Sequence, residues 1–303
     1  MTDSDTTTFG GIVGSSSTDL EKLTSVTTDG AGTTVINGGS VYTTAAQIYN
    51  DNVTLGAITT LSGVGITFGG TLNGAFALTA DAGTGGAFQA NGIIGGGTPL
   101  NSIGVTGLTI AMKAVTTSGT QAYSAIGGVT LNGNLLTTDS NVTITGPTTL
   151  GAGLTISTST GAGDITFSGA TSTITGAKDL VLTAGTGDVV LGGVVGATPL
   201  ASINVSGNNL TLPLISTVSD ANQTYTALNN ITLNQSRTLS APVAFTADSD
   251  NSGDGSFILL TGVSLTASNN TLNIIAADLD LQGNSTMSSG GGLMTITPLT
   301  IPE

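Results

Sequence analysis

Apolar and polar residues alternate in short runs along nearly the whole chain. Val53-Thr54-Leu55, Val129-Thr130-Leu131, Val142-Thr143-Ile144-Thr145, Leu154-Thr155-Ile156, Leu210-Thr211-Leu212 and Ile231-Thr232-Leu233 are typical. Each run sends Val, Ile or Leu to one side and Thr to the other, the period-two pattern of a half-buried β-strand. Clusters of Gly, Asn, Asp and Ser separate the runs, and these residues suit tight turns. Strand centres fall about ten residues apart, the spacing of a regular all-β architecture. The nearest approach to a helix, Ala45-Ala46-Gln47-Ile48, is too short to be one. The pattern predicts an all-β fold.

Two periods refine it. Thr98-Pro99-Leu100 and Ser102-Ile103-Gly104-Val105 return 100 positions later as Thr198-Pro199-Leu200 and Ser202-Ile203-Asn204-Val205. A third copy, Thr297-Pro298-Leu299, follows 99 positions on. Tyr123-Ser124-Ala125-Ile126 answers to Tyr225-Thr226-Ala227-Leu228, and Ile66-Thr67-Phe68 to Ile165-Thr166-Phe167. Within this unit Asn208-Asn209 and Asn229-Asn230 lie 21 positions apart, each pair leading into a strand, and Asn269-Asn270 follows 40 positions later. About twenty residues make one coil of a parallel β-helix, with coils stacked at the inter-strand spacing of ~4.8 Å. The expectation is therefore a right-handed parallel β-helix of ~20-residue coils with a super-repeat of about 100 residues, on the order of fifteen coils and 70 Å long. A string of β-sandwich modules is the alternative. The expected organisation is an N-terminal segment, 1–40, acting as a cap or strand-donor arm (Thr2 to Ile12 above all), then a repeat solenoid over 41–303. Its super-repeats fall at about 60–160, 161–260 and, in part, 261–303.

Composition narrows the partners. Four Lys plus Arg stand against eighteen Asp plus Glu, a net charge of -14, so clustered basic contacts to nucleic acid are excluded. Charged residues are only 7% of the chain, so its polar character comes from Thr, Ser, Asn and Gly. In a stack of coils, charged columns repel whereas Thr and Asn columns hydrogen-bond. No apolar run is long enough for a spanning helix, and Met1-Thr2-Asp3-Ser4-Asp5 does not read as the start of a signal peptide.

The Gly/Thr/Asn-rich stretch Ile66-Thr67-Phe68-Gly69-Gly70-Thr71-Leu72-Asn73-Gly74-Ala75 and the Thr-Pro-Leu units resemble the repeat regions of giant bacterial surface proteins. These are the filamentous-haemagglutinin-like and autotransporter-type adhesins. The resemblance, one of style from about Val41 onward, implies an extracellular solenoid passenger on a bacterial cell surface. Its function would be structural or adhesive: a rigid stalk or self-assembling fibre, or an adhesin with a specific ligand face. The corresponding partners are further copies joined end to end and a surface or cell ligand, with no membrane insertion of this segment.

Enzymatic chemistry finds little to work with. There is no His and no Cys, which removes Ser-His-Asp and Cys-His nucleophiles. Two clusters, Asp19-Glu21-Lys22 and Lys178-Asp179 with Asp188, combine a base with acids, and both read as solvated turns. The runs Gly95-Gly96-Gly97 and Gly290-Gly291-Gly292 lack the Lys and helix of a phosphate loop. One segment has the spacing of metal ligands. Asp248, Asp250, Ser252 and Asp254 place oxygens at alternate positions, with Gly253 for the sharp turn, like the first half of a Ca²⁺ loop. Leu259 stands where such a loop would close with Glu. Two further alternatives are an ice-binding face, from Thr143, Thr145, Thr155 and Thr158, and a polysaccharide-acting β-helix. Asp278 and Asp280 read as the wet side of a strand.

Overall fold

A computed structural model describes residues 5–15 and 21–298. The chain is a β-solenoid of about thirteen turns, with parallel sheets and coils of roughly 22 residues. Turns longer than the minimum, such as Ala247–Gly255, lengthen the average coil beyond the twenty residues that the Asn pairs suggest. A 3₁₀ turn, Asp220–Asn222, lies among the strands of the second unit, and no α-helix occurs among the described residues. The chain divides into two compact units, Met1–Ala152 and Gly153–Glu303.

In the first unit the coils contribute a strand to each of three walls, or, at Ile94, a single bridging residue. One wall stacks Thr59–Ser62, Ala77–Asp81, Ser102–Gly107, Gln121–Ala125 and Val142–Thr145, all parallel and in register. Leu78, Ile103, Gln121 and Val142 therefore stand over one another inside, as do Ala80, Val105, Tyr123 and Ile144. Their outward neighbours form a second pair of files, Thr79-Gly104-Ala122-Thr143 and Asp81-Thr106-Ser124-Thr145. This is the alternation of the sequence turned into an inside and an outside. Another wall runs from Val26–Thr27 through Gln47–Tyr49, Ile66–Phe68, Ala87–Ala90 and Thr109–Met112 to Val129–Leu131. Stacking begins ahead of position 41: Thr6–Phe9 already pairs with Thr33–Ile36 as a strand of the chain's own first coil.

The second unit repeats the scheme. Leu154–Ser157, Asp179–Thr183, Ser202–Gly207, Gln223–Ala227 and Val243–Thr246 belong to one wall, and Val189–Leu191, Leu210–Leu212 and Ile231–Leu233 to a second. The third strands of its coils form two separate blocks, Ile174–Thr175 to Ile215–Thr217 and Arg237–Thr238 to Thr286–Ser288. Asp278 and Asp280 point outward on their strand, paired with Ser256 and Ile258, and Leu279 lies beside buried Phe257.

Each core is a file of side chains of the same class. In the first unit Tyr49 stacks on Phe68 at 5.2 Å and 13°, and Phe88 follows at 6.0 Å. In the second, Tyr225 and Phe245 lie 5.2 Å apart at 4°, with Phe257 next at 5.1 Å. Burying each Val, Leu, Ile or Phe contributes roughly 1.5–3 kcal/mol, so the stabilisation is spread over every coil.

Candidate functional sites

The most distinctive chemistry lies inside the coils. Gln47, Gln121 and Gln223 are buried, and each is followed two residues later by a buried tyrosine. Tyr49, Tyr123 and Tyr225 donate their hydroxyls to the Oε1 of these glutamines at 2.9, 3.0 and 2.8 Å. Residues i and i+2 of a strand share a face, which is why Gln-x-Tyr delivers both groups inward. The amide nitrogen then reaches across the corner of the coil. Gln47 Nε2 donates to the carbonyls of Val41 and Ser62 at 3.0 and 2.9 Å, and Gln121 Nε2 to those of Val115 and Leu136 at 3.3 and 2.9 Å. A buried threonine closes the same corner in each copy: Thr43, Thr117 and Thr217 donate to the carbonyls of Ala45, Gly119 and Ser219. Burial pushes the tyrosine pKa values upward in all three cases. At Tyr225 the positive charge of nearby Arg237 pulls the other way.

The sequence pattern signals this clamp only faintly, through the match of Tyr123 to Tyr225. The glutamines escape notice because Gln47 sits in the segment that most resembles a helix. Copies of the clamp are separated by 74 and 102 positions, so the super-repeat is not of fixed length. Within the first unit, Gln47–Tyr49 and Gln121–Ala125 belong to different walls.

Three charged side chains are also buried: Asp51, Arg237 and Asp248. Asp51 accepts hydroxyls from Thr28 at 2.7 Å and Thr34 at 2.8 Å. Arg237, 4% exposed, donates from Nη2 to the carbonyl of Pro213 at 2.6 Å and lies over the rings of Tyr225 and Phe245 at 5.7 and 5.9 Å.

The proposed calcium residues do come together. Asp248 is fully buried and holds a left-handed backbone (φ 57°). Its carboxylate accepts the Gly253 N–H at 3.1 Å. The Ser252 hydroxyl lies 2.9 Å from Asp248 Oδ1, 2.9 Å from Asp250 Oδ1 and 2.6 Å from Asp254 Oδ1. The donor set, three carboxylates and a hydroxyl, is made of the hard oxygens Ca²⁺ takes. The carboxylates converge on the serine, however, and no group of three or more acidic side chains among the described residues is arranged to hold a metal ion.

The remaining candidates are placed as follows. Asp179 takes the Ser202 hydroxyl at 2.6 Å, while Asp188 accepts from Asn208 and Asn209. Asp19 lies outside the described residues. The paired asparagines work as ladders, with Asn209 Nδ2 donating to Asp188 Oδ1 at 2.9 Å and Asn230 Nδ2 to Asn209 Oδ1 at 3.0 Å. The next rung is Ser256, whose N–H donates to Asn230 Oδ1 at 2.9 Å. Asn269, expected from its spacing to continue the series, sits in a left-handed turn and accepts from Gly291 instead. Of the threonines singled out for an ice-binding face, Thr158 is turned inward, bonded to the carbonyl of Gly163 at 2.6 Å, and is lost to any such face.

One outer face is concave. In the first unit, Thr79, Gly104, Ala122 and Thr143 floor a depression of about 210 Å³, because Gly and Ala fall between two threonines. A second depression of about 170 Å³ adjoins it, bordered by Asp81, Thr106, Ser124 and Ile126. Ile126 is 79% exposed.

Comparison with known proteins finds no matching family model, no matching curated protein and no matching solved structure.

Proposed function

We propose that this chain is a structural repeat protein of the bacterial cell surface, working as a rigid stalk or as the subunit of a fibre. The observation that carries the reading is what the copies share. Inward positions recur: Gln121 and Gln223, Tyr123 and Tyr225, Thr117 and Thr217, Leu100 and Leu200. Outward positions recur only in part: Thr67 and Thr166, Thr130 and Thr232, and Thr145 and Thr246 are kept, but Thr79 stands against Val181, Asp81 against Thr183, Gly104 against Asn204 and Thr143 against Ala244. Repetition of this kind serves stacking, since a ligand that read every copy would need the outer residues to recur as well.

The depression over Gly104 and Ala122 favours a second reading, an adhesin with one local ligand face in the first unit. Electron microscopy of the purified chain over a range of concentrations, with a glycan and extracellular-matrix binding screen, separates the two. Filaments, or uniform particles without ligand, support the structural reading. Saturable binding abolished by Gly104→Lys replaces it with the adhesin. Release of reducing ends or unsaturated sugars from a polysaccharide panel overturns both in favour of an enzyme.

A further inference from the structure

The three copies of the Gln–Tyr clamp are not equally closed, and the difference falls on Arg237. In the first unit, the strand two places after Gln121 is Leu135–Leu136, and it pairs with Val115–Thr116 of the coil before. The ladder there is regular: Val115 N–H donates to Asn134 at 2.8 Å and Thr117 N–H to Leu136 at 2.9 Å.

In the second unit the matching strands are Ile215–Thr217 and Arg237–Thr238. Arg237 follows Gln223 by fourteen positions, as Leu135 follows Gln121. Here no strand pairing joins them among the described residues, and the wall breaks into two blocks at this place. Side chains bridge the gap instead. Gln235 Oε1 accepts from the Leu214 N–H at 3.3 Å, and Arg237 Nη2 donates to Pro213 O at 2.6 Å. The Ser240 N–H and hydroxyl both reach Asp220 Oδ2, at 2.6 and 2.7 Å. Gln223, whose counterparts bind backbone carbonyls of the next coil, turns its Nε2 to Asp220 Oδ1 at 2.7 Å. Asp220 belongs to the 3₁₀ turn, a two-residue insertion relative to the Thr117-to-Gln121 corner.

We propose that Arg237 props this wall open, so that the seam between Ile215–Thr217 and Arg237–Thr238 is the place where the second unit opens first. A leucine at this position buries itself and lets the strand close on its neighbour. A guanidinium must find oxygen, and the one it finds is a carbonyl on the facing strand edge. Its Nε and Nη1 have no acceptor, and its plane is occupied by the Tyr225 and Phe245 rings. A charge buried with one hydrogen bond, beside a ladder with no backbone bonds, is the weakest fastening in the unit. Opening there uncovers the Tyr225–Phe245–Phe257 stack without unravelling the other two walls. The inference rests on geometry alone and is independent of what the protein binds.

Residue-resolved hydrogen exchange on the whole chain tests it. The N–H groups of Leu214 and Ser240 bond across the seam, to Gln235 Oε1 and Asp220 Oδ2, whereas the Leu210 N–H is bonded to Asn230 in a closed wall nearby. The amides of Leu214 and Ser240 are expected to exchange at least about tenfold faster than Leu210, by local opening. Arg237→Leu, which installs the residue of the closed copy, is expected to bring them to within about threefold of Leu210. Equal protection in the unaltered protein overturns the proposal, and that comparison needs no variant. So does fast exchange that persists in Arg237→Leu or, should that variant not fold, in Arg237→Met.

Discussion

Tyr123 donates its hydroxyl to Oε1 of Gln121 across 3.0 Å, with both side chains inside the first unit. Because the same glutamine uses its nitrogen on the carbonyls of Val115 and Leu136, one side chain ties a tyrosine and two neighbouring strands together.

Replacing the glutamine therefore costs more than replacing its partner. Gln121→Leu removes the acceptor of the tyrosine hydroxyl and the side-chain donor to the carbonyls of Val115 and Leu136, and is expected to destabilise by roughly 1–3 kcal/mol in urea titration. Tyr123→Phe removes one hydroxyl, for about 1 kcal/mol. The double variant should fall short of the sum by on the order of 0.5–2 kcal/mol, as contacting residues do. Strict additivity would show that the bond contributes nothing.

The buried tyrosines make the protein sensitive to alkali. Desolvation raises the folded pKa of Tyr49, Tyr123 and Tyr225 above the ordinary value of 10.0. Below pH 10 both folded and unfolded chains keep these protons, and the contribution is fully present. As pH climbs above that, the unfolded chain ionises first and stability falls. Tyrosinate absorbance from these three residues should rise together with loss of the β-sheet circular dichroism signal. Smooth titration of all of them in the folded protein would contradict their burial.

Gly146 turns the corner between Val142–Thr145 and Thr148–Leu150 with φ at 120°. A Cβ there would collide with the carbonyl oxygen of Ala125 in the coil below. Gly146→Ala combines strain with a backbone clash and is expected to lower stability by about 1–3 kcal/mol, read as a drop in melting temperature.

The loop of Asp248, Asp250, Ser252 and Asp254 is settled by titration with Ca²⁺. A bound ion at about 100 times its dissociation constant adds ~2.7 kcal/mol to stability, and Asp248→Asn removes the gain. A melting temperature indifferent to Ca²⁺ and to chelator removes calcium from the description. The loop is then held by the protein's own bonds, those of Ser252 and Gly253 to the carboxylates and those of the Asp248 and Ser249 N–H groups to Asn229 and Ala227.

The fold was legible because its period is short. Val142-Thr143-Ile144-Thr145 announces a strand and its inner face without reference to anything distant, and the 21-residue step from Asn209 to Asn230 announces the coil. What stayed hidden depends on contacts between coils. Asp51 looks like a turn residue until Thr28 and Thr34 are brought round to it. Arg237 looks like a scattered surface charge, since neither Tyr225 nor Phe245 is near it in sequence. Thr158 belongs to an alternating Thr/Ser run, yet turns inward where the strand ends and its hydroxyl caps the carbonyl of Gly163. The calcium-like loop was found by spacing, which locates oxygens but not the point on which they converge.

The Gln–Tyr clamp occupies two different walls of the first unit and makes the same bonds in both. At least two sides of a coil are therefore interchangeable hosts for one segment of sequence. A duplication inserted into such a gene need only begin and end at strand boundaries to be accommodated; it need not span whole turns. The 74- and 102-residue intervals between clamps are the lengths such a tolerant lineage would leave behind.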